Sequence, residues 1–160
     1  LVGSEMCIRD RIKILIFIFL LSLDLFTKFV VKNYIDLNHS IKINQFFDIV
    51  YIQNFGVSFG LFSGTFNYLF FVMIGLLVVF LVVYLMIKSN ENIEKLAYFF
   101  IIIGALGNII DRAINSFVVD FISLHYNFFY WPAFNIADIY ITIGIIMLVV
   151  GIFIKVDNLK

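Results

Sequence analysis

The residues best able to do chemistry in this chain are charged groups set among apolar ones. Asp24 and Lys28 stand four apart in an apolar run, a spacing that puts both on one helical face within pairing distance. Asn108, Asp111 and Arg112 repeat the pattern at i, i+3 and i+4. Asp138 opens a further apolar run, and Asp120 precedes it in a loop. Neither Asp120 nor Asp138 has a cation close by in sequence. Ionisable groups in membrane spans are rare and costly, and they mark function more often than decoration. Such a set could hold helices together as ion pairs (Asp24–Lys28, Asp111–Arg112), line an ion or proton path, or serve hydrolysis. Taken singly, Asp120 reads as an exposed loop carboxylate and Asp138 as a helix N-cap. Gly56-Val57-Ser58-Phe59-Gly60 matches G-x-S-x-G, and Ser58, Asp120 and His125 follow the chain order of a hydrolase triad. That motif needs a strand, elbow and helix in a large parallel sheet, for which this chain has no room. His39 and His125 lie outside the apolar runs, without the spacing of a metal site.

The elements that must position these groups follow from composition. Of 160 residues, 63% are hydrophobic and 14% charged, with a mean hydropathy of +1.07. A soluble domain has about 45–50% apolar and about 25% charged residues, so the fold class is an all-α membrane protein, and disorder is excluded. Eleven basic against eleven acidic residues leave no excess to neutralise phosphates, which excludes nucleic acid as a partner. A bilayer core of about 30 Å takes about 20 apolar residues, and four runs serve: 12–31, 68–87, 96–114 and 137–154. With four spans, the ends of the first and third and the start of the fourth share one side. Asp24, Lys28, Asn108, Asp111, Arg112 and Asp138 therefore converge in one leaflet. Lys13, Lys88, Lys95, Lys155 and Lys160 fall on the side of the termini, against Lys32 and Lys42 opposite, with Lys28 and Arg112 at helix ends facing that side. That bias puts both termini in the cytoplasm and the polar cluster at the outer leaflet.

Residues 1–11, LVGSEMCIRDR, read as a non-native, adaptor-derived head outside fold reasoning. The head contains Cys7, the only cysteine, so no disulfide or thiolate chemistry is expected. Residues 12–160 form a single four-helix domain, with no internal repeat of the kind an ion transporter would show.

Five motifs occur in order: Asp24-Leu25-Phe26-Thr27-Lys28, Asn54-Phe55-Gly56-Val57-Ser58-Phe59-Gly60, Gly104-Ala105-Leu106-Gly107-Asn108-Ile109-Ile110-Asp111-Arg112, Val118-Val119-Asp120-Phe121, and Trp131-Pro132-Ala133-Phe134-Asn135-Ile136-Ala137-Asp138. The set resembles the signal peptidase II family of bacterial lipoprotein signal peptidases. One departure is Ile103, where the family commonly has a second glycine before Gly104. The resemblance implies an aspartyl endopeptidase of the bacterial inner membrane. It cuts on the N-terminal side of the lipidated cysteine of diacylglyceryl-modified prolipoproteins. Asp120 and Asp138 become a catalytic dyad. Asn54, Asn108, Asp111, Arg112 and Asn135 line and order the site, and Asp24 and Lys28 support it. The implied partners are prolipoproteins and membrane lipids, with no metal and no cofactor. The resemblance also implies a small extracytoplasmic β element in the first outer loop, for which residues 46–52, FFDIVYI, are rich in strand-favouring types.

The chemistry fits the residue types. Two carboxylates sharing one proton can activate water and protonate a leaving amine. Like charges split their titrations, and the resulting values belong to the pair. The helix start at Asp138 favours its ionised form. The remaining alternative is a small transporter or channel subunit using the intramembrane Asp, Lys and Arg groups. Gly104 and Gly107 are expected to permit close helix packing, and Trp131 and Pro132 to position Asn135 and Asp138.

Overall fold

The computed structural model describes residues 2–56 and 67–157, with side chains described within 11–56 and 67–155. Ser58 lies outside these residues, as does the side chain of Cys7. Four helices are long and apolar enough to cross a bilayer: α1 (Val2–Tyr34), α2 (Tyr68–Lys88), α3 (Asn92–Asn115) and α4 (Ile136–Asp157). Each exceeds the expected span at one end or both. Most of their large apolar side chains, such as Phe19, Leu77, Phe80 and Phe153, face outward, as lipid-facing positions must.

Helix α3 is the least apolar span and the hub of the bundle, contacting α1, α2 and α4. Its closest neighbour is α4, and glycines set that approach. A Cβ at Gly104 would fall on the Ala137 carbonyl oxygen and lie 2.8 Å from Ile141 Cγ1. A Cβ at Gly107 would fall on the carboxylate of Asp24. Ile103, the family departure, is fully buried in the same helix. Because backbone blocks position 104, Gly104→Ala is expected to push α4 away and cost about 1–3 kcal/mol. The cost would register as a lower thermal midpoint in detergent.

At the end of the bundle where α1 and α3 finish and α4 begins, an antiparallel sheet forms in the order β1-β2-β3-β4. The strands are β1 (Ser40–Lys42), β2 (Phe47–Asn54), β3 (Val118–Tyr126) and β4 (Phe129–Tyr130). The expected first-loop strand is β2. The sheet is not confined to that loop, because the loop between α3 and α4 supplies β3, its longest strand, and β4. Asp120 is therefore a strand residue, opposite Ile52, while Val118 lies opposite Asn54. The sheet is fastened to the bundle by Val31, Tyr51, Val119 and Phe121, which form one buried cluster. Helix α3 turns into β3 through Ser116, whose left-handed backbone (φ 69) lets its N–H bond Arg112 O at 2.8 Å.

Candidate active site

The site is assembled where the bundle meets the sheet. On α3, Asp111 accepts the Val119 backbone N–H at 2.8 Å and the Asn115 amide at 2.6 Å. That anchors the start of β3 and fixes the next residue, Asp120. Asp120 is 3% exposed, which excludes the exposed-loop reading. Asn54 Nδ2 donates to one of its oxygens at 2.9 Å and Asn135 Nδ2 to the other at 2.6 Å. Asn54 is itself held by the Gly56 N–H on its Oδ1 at 3.0 Å.

Asp138 lies in the first turn of α4, where the N-cap is Asn135 rather than Asp138. Asn135 Oδ1 accepts the Asp138 N–H at 3.1 Å, and the Asp138 carboxylate accepts the Asn135 N–H at 3.2 Å. This reciprocal pair has the pattern of a capping box, with aspartate at N3 in place of the usual Glu or Gln. The other Asp138 oxygen accepts the Asn108 amide at 2.8 Å. Asn135, fully buried, thus touches both carboxylates at once.

Behind this pair runs a chain of buried polar groups. Lys28 Nζ donates to Asn108 Oδ1 and to Asp24 Oδ2, each at 2.8 Å. Asp24 and Lys28 are each 1% exposed, so the expected i, i+4 ion pair is formed and dry. The second Asp24 oxygen accepts the Ala137 N–H of α4 at 2.8 Å. Helix α1 therefore satisfies an orphan donor in the first turn of α4. The Asp111–Arg112 pair that the sequence left open does not form. Arg112 donates to the Gly56 carbonyl at 2.5 Å and sits 5.6 Å from the Phe71 ring centroid. Its buried Nε has no acceptor among the described residues. Arg112 still lies within electrostatic reach of Asp120, Asp111 and Asp138, and Lys28 acts on Asp120. The two carboxylates without sequence-local cations are thus flanked by cations in space.

A groove of about 630 Å³ opens beside this cluster, lined by Asn54, Asn108, Arg112, Asp120, Asn135 and Asp138. It continues along α4 past Ile141, Thr142 and Ile145, and along the segment between α3 and α4 past Leu124, Trp131 and Pro132. Trp131 and Pro132 thus form part of the groove wall. Burial, and after it the charge of Asp138, pushes the Asp120 carboxyl up to about 7. The Asn54 and Asn135 amides and Lys28 pull the other way.

All nine residues expected at the site are brought together here. Asn115, Gly56 and Phe71 were missed. Only Asn115 carried a local signal, four residues beyond Asp111. The remaining member of the triad-like pattern, His125, faces elsewhere. Its Nε2 lies 3.3 Å from Asp48 Oδ1 on β2, and its ring stacks on Tyr130. No group of three or more His, Cys, Asp or Glu suited to a metal occurs among the described residues.

Comparison with known proteins places these features in company. A family profile described as Signal peptidase (SPase) II matches residues 16–154. A lipoprotein signal peptidase of Haemophilus influenzae is 40% identical over 135 residues, 82% of this chain and 79% of that protein. One from Francisella tularensis subsp. novicida is 35% identical over 148 residues, 89% and 92% of the two chains. A solved bacterial membrane enzyme superposes with a TM-score of 0.84 at 32% identity, covering 92% of this chain and 91% of the other. A second does so at 0.75 and 33%, covering 88% and 91%.

Proposed function

The chain belongs to the signal peptidase II family of bacterial membrane proteases, and from that premise we propose an aspartyl endopeptidase that releases signal peptides from diacylglyceryl-modified prolipoproteins. The observation that carries the proposal is the bridging of a buried carboxylate, Asp120, and a half-buried one, Asp138, by Asn135 at a groove wall. The working unit is residues 12–160, with 1–11 a non-native head. Both termini face the cytoplasm, and the site opens at the outer leaflet. A substrate can then keep its acyl chains in lipid while the scissile bond reaches water.

In this reading Asp120 holds the shared proton near neutral pH. Asp138 takes a proton from a water whose oxygen bonds to the scissile carbonyl carbon. Asp120 supplies the proton that the leaving amine needs as the C–N bond breaks. The water's proton remains on Asp138, so the pair ends with one proton, as it began. Asn108 and Asn135 hold the carboxylates in place, and Lys28 and Arg112 offset their charge. Arg112, which lines the groove, can donate to a substrate carbonyl. Asp24 and Asp111 act on position, one through the start of α4 and the other through the start of β3.

The test is cleavage by the purified full chain in vesicles, with a diacylglyceryl-modified prolipoprotein compared against its unmodified form. The expected product begins at the lipidated cysteine, and only the modified form is cut. Absence of that product, together with ion flux through the vesicles, would favour the transporter reading instead. The geometry lends that reading no support, because the buried charges gather at one end of the bundle.

A pH dependence follows. Asp120 keeps its proton up to about pH 7 and loses it above, leaving two like charges and no acid. Processing is expected to fall as pH rises through about 7. Asn54→Ala removes a donor that favours the ionised form, so it should shift the descending limb to higher pH. A pH–rate profile in vesicles measures both effects. A limb that does not move would remove Asn54 from the site.

A further inference from the structure

The hairpin joining β3 to α4 is more apolar than its place in a surface sheet requires. From Tyr126 to Phe134, six of nine residues are aromatic and none is charged. Phe128 at the tip is 100% exposed, and Tyr126, Phe129 and Tyr130 are each more than half exposed. The display is built rigidly. Tyr126 pairs with Phe129 and His125 with Tyr130, while the Trp131 N–H bonds Leu124 O at 2.8 Å. Asn127 takes the left-handed backbone (φ 53) that a two-residue turn demands. Phe46, just before β2, stacks on Tyr126 at 5.9 Å and buttresses the hairpin from the side.

From these features we infer that the β3–β4 hairpin is an interfacial anchor, with the Phe128 tip seated in the headgroup and upper acyl region of the leaflet beside the groove. Three observations choose lipid as the occupant. The hairpin is continuous with two bilayer spans, since α3 ends at Asn115 and α4 begins at Ile136. Phe134, two residues before α4, is bridged to Ile122, and the four residues from there to Tyr126 reach only about 13 Å. A hairpin held this close to the start of α4 has its tip at the interfacial layer when it lies along the membrane plane. Lastly, aromatic side chains without charge are the composition that favours this layer. The β1–β2 side of the same sheet carries Asp36, His39, Lys42 and Asp48. Anchoring would hold the groove wall formed by Leu124, Trp131 and Pro132 against the bilayer. The inference needs only that α3 and α4 span the membrane, and it stands apart from the roles given to Asp120 and Asp138.

The chain's single tryptophan makes the test direct. In phosphatidylethanolamine–phosphatidylglycerol vesicles, a Phe128→Trp, Trp131→Phe variant reports the tip, and a Lys42→Trp, Trp131→Phe variant reports β1. Lipids brominated on the upper acyl carbons are expected to quench the tip reporter at least about twofold more than the β1 reporter, with aqueous acrylamide showing the reverse order. Equal quenching of both reporters by acrylamide would overturn the anchor. Protection of the tip from both quenchers would also overturn it, pointing to a protein cover such as a second copy. Native Trp131 emission, read in the same vesicles, keeps the question decidable if a reporter variant does not fold.

Discussion

Asp120→Asn and Asp138→Asn, each made alone in the full chain, are expected to lower processing of a lipidated prolipoprotein by at least about a thousandfold. Each substitution leaves a side chain of nearly the same shape that can neither exchange a proton nor carry charge. The double variant should be scarcely worse than either single one, because the two groups act as a unit. The substitutions differ in their structural cost. Both Asp120 oxygens accept amide N–H groups, from Asn54 and Asn135. An asparagine at 120 must turn its own NH2 toward one of those donors. Neither neighbour can flip freely, since Asn54 Oδ1 already accepts the Gly56 N–H and Asn135 Oδ1 the Asp138 N–H. A lower thermal midpoint is thus expected for Asp120→Asn in addition to lost activity. Membrane insertion and melting must be read beside the cleavage assay. An inserted, folded variant of either kind that processes substrate at the native rate would end the dyad assignment.

How far such a site is legible in sequence depends on how local its causes are. Asp24 and Lys28 are one helical turn apart, and their pairing could be read directly because helical geometry fixes it. Gly104 and Gly107 announced a close approach without naming what approaches. The partners, the Ala137 carbonyl and the Asp24 carboxylate, come from other helices. The ion pair left open for Asp111 with Arg112 does not form, for a local reason: adjacent residues on a helix point in different directions. Asp111 reaches the start of β3 and Arg112 reaches Gly56. Strand β3 was hidden for the opposite reason. Its pairing joins Asn54 to Val118 across a whole pair of spans, and no local pattern encodes a register set by two distant loops. The apparent lack of cations near Asp120 and Asp138 had the same origin. Lys28 enters from α1 through Asn108, and Arg112 from α3.

Asn135 carries the second large expectation, because three functions meet in one residue. Its Oδ1 caps α4, its backbone N–H holds Asp138, and its Nδ2 holds Asp120. Asn135→Ala removes the cap and the Asp120 donor together. It should cost about 1 kcal/mol in stability and about a hundredfold or more in processing. Asn135→Ser separates the two, since serine caps about as well as asparagine and keeps the backbone N–H on Asp138, but has no amide to donate to Asp120. Stability is expected to return with serine while the rate does not. The pH profile gives a further readout. The Asn135 amide favours ionised Asp120, so its loss should carry the descending limb above about pH 7 in both variants. If serine restored the rate as well as the melting temperature, with the limb unmoved, Asn135 would be a helix cap alone and the bridge between the carboxylates would have no catalytic consequence.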